Sequence, residues 1–408
     1  MHSLVGRAAL VTLLLFALAA SAKEAPKRAT GWPQFRGPDA NSISPETGIN
    51  KDWANKPPKV LWKVPMSDGG FAGPSVASGM VFIIDHKGST DIIRAINIQT
   101  GRNVWTFEYP DSPRGNYGFA RATPVVAGGG LYTMSRLGVL HCLFVKSGRK
   151  AWSRNVVKDF RGRLPKWQMA VSPFIDGNKL IVVPGGPNAC VAALDRKTGK
   201  TIWKGGGSDV AGYATPVKAT IGGKKQYVVF TARHVIGVDA TSGRLLWKHP
   251  WKTNYDVNAA TPIVHNDHVF ITSGYRHGCA LLKVSGRRAT PVWQNKTIQS
   301  HFNSPLLFDG HIYGSTDPNR LACIELKTGD TKWSHRGVGK GGIIGVDGAL
   351  ITLDGSSGTV TLVEMTPKGY KALGSIRPLG GQSWTAPIVA EGKLIIRNKQ
   401  AIACIDLK

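Results

Sequence analysis

Acid is scarce in this chain. Asp and Glu number 25 against 52 Lys and Arg, and the formal net charge is +27. Such an excess favours anionic partners, among them acidic polysaccharide, lipid headgroups and nucleic acid, without selecting one. Cysteine is scarce too. Five residues, at 142, 190, 279, 323 and 404, form no CxxC pair and no Cys/His metal spacing, which excludes a zinc ribbon. An odd number cannot all pair within one chain. Each lies in an apolar stretch such as "LHCLF" or "AIACIDL", so buried thiols are expected, with a disulfide between neighbouring strands as the alternative. Enzymatic motifs are absent as well: there is no GxSxG, HExxH or P-loop.

Long apolar runs are confined to the start. Arg7 precedes 8-AALVTLLLFALAA-20, which ends in Ala20-Ser21-Ala22. A short basic start, an apolar core and small residues at the cut site read as a secretory signal, residues 1–22, cleaved after Ala22. The run is short for a membrane anchor. The expectation is an exported protein, periplasmic or secreted and open to association with the cell envelope, for which nucleic acid is not an expected partner.

What is abundant is repetition. "TGRNVW", "SGRKAW", "TGKTIW", "SGRLLW" and "TGDTKW" recur along the chain, and a stretched "SGRRATPVW" ends at Trp293. Each follows a Pro-led apolar strand, a turn and a second apolar strand, as in "TPVVAGGGLYT" and "SPFIDGNKLIV". A weaker copy begins at Ile344, and in that unit Leu373 is read as holding the Trp position. The count is eight, at the spacing of propeller blades. Four short strands per unit, A to D, and no predicted helices indicate an all-β, eight-bladed β-propeller of four antiparallel strands per blade. The chain stops at "AIACIDLK", a strand C without a strand D. "KVLWKV" around Trp62 supplies the missing strand and closes the ring. Residues 23–58 are then a lead-in and 59–408 the propeller.

The Ala-x-Asp, Thr-Gly, Trp pattern of "ALDRKTGKTIW" resembles the pyrroloquinoline-quinone-type propeller repeat over 59–408. Its length and compact blades resemble the BamB type of outer-membrane assembly factor, and "GWPQFRGPDANSISPETGI" resembles the start of many exported propellers of this superfamily. The repeat itself is architecture, with each Trp expected between blades.

Function is therefore sought where the repeat breaks. Three places before the strand A Pro or its equivalent stand Phe71, Arg121, Ala170, Tyr213, Ala259, Phe302, Gly342 and Trp384. Aromatics and Arg at the mouth of a funnel suit a planar ligand, a sugar ring or a peptide side chain; they also suit a plug of core. The longest connections, 106–123, 153–172 and 248–261, carry Trp167 and Trp251 outside the repeat register. Arg121, Trp167, Tyr213, Trp251, Phe302 and Trp384 are the expected partner-binding residues. On the opposite face, turns bearing Lys146, Arg149, Arg196, Lys200, Arg244 and Lys327 form a basic collar. Asp209 and Asp256 are the best candidates for acid/base work, and His277 in "YRHGC" is a weaker one.

Two readings follow. One is an exported, non-catalytic, monomeric scaffold without cofactor, which binds a protein or an anionic polysaccharide through its loop face. The alternative is an alcohol or sugar dehydrogenase dependent on pyrroloquinoline quinone with calcium. In the superfamily that cofactor stacks between a Trp and a ring made by two adjacent cysteines, and Glu, Asn and Asp hold the calcium. This chain has no adjacent cysteines and no clustered acids in its loops.

Overall fold

The computed structural model describes residues 31–112 and 117–408; the leader of residues 1–22 lies outside them. Eight sheets surround one axis, seven of them four-stranded and one with a fifth, short strand. Blade one comprises Ser75–Ala77, Met80–Lys87, Thr90–Asn97 and Asn103–Pro110. The others follow in chain order, and in each the strands pair antiparallel, A to B to C to D. Strands B and C are buried along almost their whole length, whereas the outer D strands are largely exposed, as in Thr331–Arg336, where only Trp333 is buried. That difference is why the B and C segments read as continuous apolar runs and D carries the charge. Lys and Arg on the D edges also discourage pairing with another sheet.

The ring closes as the sequence indicates. Val60–Pro65 pairs antiparallel with Ala401–Asp406, completing the eighth blade. The repeat then explains itself. Asp195 accepts hydrogen bonds from the backbone N–H groups of Lys197 and Thr198 and from the Thr198 hydroxyl, which bends the chain into the C-to-D turn. The turn glycine has φ of 69° at Gly148, where an L side chain is strained. A Cβ there would lie 2.4 Å from the ring of Trp105, one blade back. The indole lies flat on the glycine, and its Nε1 donates to the Val145 carbonyl at 2.9 Å. Trp62, Trp152, Trp293 and Trp333 likewise donate to Ile98, Arg196, Leu326 and Thr366 of the next blade. Trp203 packs on Gly243, but the equivalent carbonyl, that of Ala240, is taken by Lys179 Nζ. Trp247 turns to Gln226 of its own blade at 2.6 Å.

Blade seven departs from the expectation at Leu373. A β-bulge places Gly374, not Leu373, opposite Leu362, the register that Trp203 holds opposite Ala193. Trp53 from the lead-in packs there instead. It is 1% exposed, and a Cβ on Gly374 would stand 2.5 Å from that of Trp53. The degenerate blade thus borrows its tryptophan from outside the repeat.

The rest of the lead-in ties the inner strands together. Trp32 exchanges backbone hydrogen bonds with Val76 of blade one, and Pro33 O accepts from Val126 of blade two. Ile43–Ser44 adds a parallel strand to blade seven, and Glu46 accepts from Gly392 N of blade eight at 2.7 Å. Against the expectation of no helices, a four-residue helix, Val156–Asp159, stands in the connection after blade two, capped by the Asn155 side chain. All five cysteines are buried and free.

Candidate functional site

Seven of the eight crossings from an outer strand D to the next inner strand A arrive at the axis with a Pro; the one into blade seven, at Ile343–Val346, does not. Proline lacks the N–H that an inner edge would leave unpaired. The residue before it is often Ser or Thr, and these hydroxyls link blade to blade: Thr123 N donates to Ser172 Oγ, Ser172 N to Thr215 Oγ1 and Thr261 N to Ser304 Oγ, at 2.9–3.2 Å. Two places earlier, side chains point into a cavity of about 360 Å³, within the range of small-molecule sites.

Arg121, Trp167, Tyr213, Phe302 and Trp384 all line this cavity, together with Phe71. Phe71 and Trp384 stack at 5.3 Å and 22°, and Phe302 meets Trp384 at 5.3 Å and 46°. On the other side Arg121 donates to the Trp167 carbonyl, and Trp167 N donates to the Tyr213 hydroxyl at 3.1 Å. Three blades are stitched by that chain. Burial lowers the Arg121 guanidinium to about 10, which leaves it charged at neutral pH.

Beneath the loop that carries Arg121 lies a buried ionic hub. His86 Nδ1 is 2.8 Å from Asp91 and 3.5 Å from Asp111, while Arg136 Nε donates to Asp111 at 2.7 Å. Tyr109 donates to Asp91 at 2.8 Å. Phe119 stacks on His86 at 3.5 Å and 9°, so the hub fixes the segment just before Arg121. His86, Asp91 and Asp111 come close enough to share a cation. However, Arg136 already pairs with Asp111, and both ring nitrogens of His86 are engaged, Nδ1 with Asp91 at 2.8 Å and Nε2 with Gly88 O at 2.6 Å. The hub is an ion-pair network that orders the loop.

Trp251 is not brought to the cavity. It is 4% exposed in the core between blades four and five, where its Nε1 donates to Ser273 Oγ at 3.1 Å. Its carbonyl is held by Asn258, which folds the connection inward, so an out-of-register Trp became core. His277 packs against it at 4.6 Å. Asp209 is paired with Lys248 and His234 and Asp256 with Arg233; neither lines the cavity. The collar lysines and arginines stand exposed, except Arg196, which is half-buried and donates to Gly177 and Ala127 carbonyls.

Sequence reasoning missed several wall residues. Tyr275 and His301 meet at 4.6 Å, and Lys340 Nζ stands 5.5 Å over the Trp384 ring. Burial, reinforced by Lys340, lowers His301 to about 4, so it is neutral. The lead-in adds Trp32, Phe35 and Arg36 at the floor. These positions repeat in no other blade, so no periodicity marks them. Among the described residues no Asp or Glu lines the cavity.

The fold and site together define an eight-bladed propeller whose axial funnel is floored by its own lead-in and walled by aromatics and cations. The family model described as outer membrane protein assembly factor BamB matches residues 53–163 and 89–335, and the chain belongs to that family. It is 22% identical over 70% of its length to the outer membrane protein assembly factor BamB of Shewanella oneidensis, covering 68% of that protein. It is also 26% identical to a quinohemoprotein alcohol dehydrogenase of Pseudomonas putida, but over 35% of this chain and a fifth of the enzyme's length. The crystal structure of BamB from Moraxella catarrhalis superposes with a TM-score of 0.61 at 15% identity, over 86% of this chain and 99% of that one; at that identity the likeness is one of fold.

Proposed function

We propose that this protein is an exported, non-catalytic, monomeric scaffold of the cell envelope that binds its partner, a protein or an acidic polysaccharide, through the loop face. The observation that carries this is the cavity wall: aromatic rings and cations converge there, and no carboxylate among the described residues accompanies them. Aromatic and Arg side chains are the usual anchors of binding faces. Of the titratable side chains lining the cavity, among the described residues none is a carboxylate, and His301 is buried and held neutral. Membership of a family described by outer-membrane assembly supports a protein partner in the envelope.

The partial match to a dehydrogenase keeps the oxidoreductase reading as the alternative. The residues present do not fit its cofactor. A calcium ion needs several oxygen ligands, chiefly carboxylates, and the cavity wall offers no carboxylate among the described residues. The five cysteines lie far apart in sequence, so no ring of adjacent cysteines can form.

Two measurements test the proposal. A photo-crosslinking residue placed at the exposed Tyr117 or Lys166 should trap a partner in cells, while one at Lys197 on the opposite collar should not. Purified protein titrated with pyrroloquinoline quinone and calcium should show neither a visible spectral change nor dye-linked alcohol oxidation; turnover would end the scaffold reading.

A further inference from the structure

Arg36 is the least expected residue in the molecule. It is 7% exposed, yet its partners are all neutral: Ser42 Oγ at 2.9 Å, Pro305 O at 3.1 Å and Pro262 O at 3.5 Å. No carboxylate among the described residues pairs with it. Burial lowers the guanidinium to about 10, so it remains a cation at neutral pH. A buried charge with no counter-ion is costly, and this one stands at the cavity floor. Lys340 stands at the wall over the Trp384 ring and likewise makes no ion pair with any described carboxylate. These two cations, on different elements, thus join Arg121 in facing one space that no acid among the described residues lines.

We propose that the cavity binds an acidic sugar residue, a uronate, with its ring against Trp384 and Phe302 and its carboxylate on the axis between Arg36 and Lys340. This rests on the loop face being the binding face and names the chemistry that its centre takes. The rings decide between a sugar and a flat aromatic acid. A flat fused ring is best held between two parallel plates. Here the one near-parallel pair, Phe71 and Trp384, is already stacked face to face at 5.3 Å, while Phe302 is inclined 46° to Trp384, His301 is 88° from Phe302, and Tyr117 is 87° from Trp167. Such walls offer single faces and edges. A pyranose, apolar on its faces and polar round its rim, is served by one face below and hydroxyl groups around it, and Ser42, Ser304 and Asn303 line the same space. The volume of about 360 Å³ admits one or two sugar rings. The surplus of Lys and Arg over the whole chain would draw an anionic polymer toward the molecule.

Isothermal titration of the full chain with a galacturonate oligomer, its neutral methyl ester, and naphthalene dicarboxylate tests this. The acid oligomer should bind at least tenfold more tightly than the ester, and more weakly at high salt. Trp384→Ala and Lys340→Gln should each weaken it about tenfold without lowering the melting temperature. Lys340 is partly exposed, so its variant keeps the test valid even if Trp384→Ala is poorly folded. Equal binding of ester and acid, tighter binding of the aromatic diacid, binding that both variants leave intact, or no binding at millimolar ligand would each overturn the assignment. A protein partner trapped at Tyr117 in the absence of any uronate binding would overturn it while leaving the proposed function standing.

Discussion

The seams between blades and the mouth of the funnel are built from the same residue types under opposite rules. At a seam, an indole lies on a turn glycine of the next blade and donates to a nearby carbonyl; the arrangement recurs at Trp62, Trp105, Trp152 and Trp293. At the mouth, equivalent positions carry Phe71, Arg121, Ala170, Tyr213 and Trp384, with no two neighbours alike. A seam must satisfy the same geometry at each blade, so identity is constrained. The mouth is met by each blade once, so its residues answer to a ligand and not to the ring.

The largest effect should come from the seam that lacks its own tryptophan. Trp53→Ala removes a buried indole from the join of blade seven and should cost about 4 kcal/mol, read as a loss in urea midpoint at unchanged slope. A mutant as stable as the parent would show that Gly374 needs no partner.

Two poorly solvated histidines compare seam with mouth directly. His141 packs against Tyr109 and Phe107, its ring nitrogens have no hydrogen-bond partner, and burial lowers it to about 4. The unfolded value is near 6.5. Below that pH the unfolded chain takes up the proton first, so the stability this group confers is complete above about 6.5 and is lost as pH falls toward 4. The loss is on the order of 3 kcal/mol. His141→Phe should flatten the decline in urea midpoint between pH 7 and 4.5, and an unchanged decline would assign it to other groups. His301 titrates with the same sign but at the mouth, so a bound ligand should alter its share and not that of His141.

Gly148→Ala is a smaller test of the seam. It forces a side chain at φ 69° against Trp105 and should cost about 2 kcal/mol of stability. The smallest effect belongs to the mouth: Trp384→Ala should change stability by less than about 1 kcal/mol, because the ring is only half-buried and borders the cavity. A large loss there would make Trp384 a core residue and erase the contrast.

The propeller was legible because its period is written in short-range chemistry. Asp or Asn caps the turn, glycine tolerates positive φ and admits the indole, and Pro starts the strand. Even the mouth could be located, since counting back from each Pro finds Phe71, Arg121, Tyr213, Phe302 and Trp384. The count failed where long connections fold on themselves. Trp251 looked as free as Trp167 in sequence, but Asn258 and Ser273 hold it in the core.

By itself, then, the sequence determined the number of blades, their strand order, the closing strand and the ring of positions facing the axis, because each of these depends on residues close together in the chain or on a repeated spacing. Only the tertiary structure decided that Trp53 replaces the missing seam tryptophan. It also decided that the lead-in floors the funnel and that Arg36 stands there without a counter-ion among the described residues. Arg36 meets Pro262 and Pro305 from more than 200 residues away. Contacts made once, across such a distance, leave no period to read.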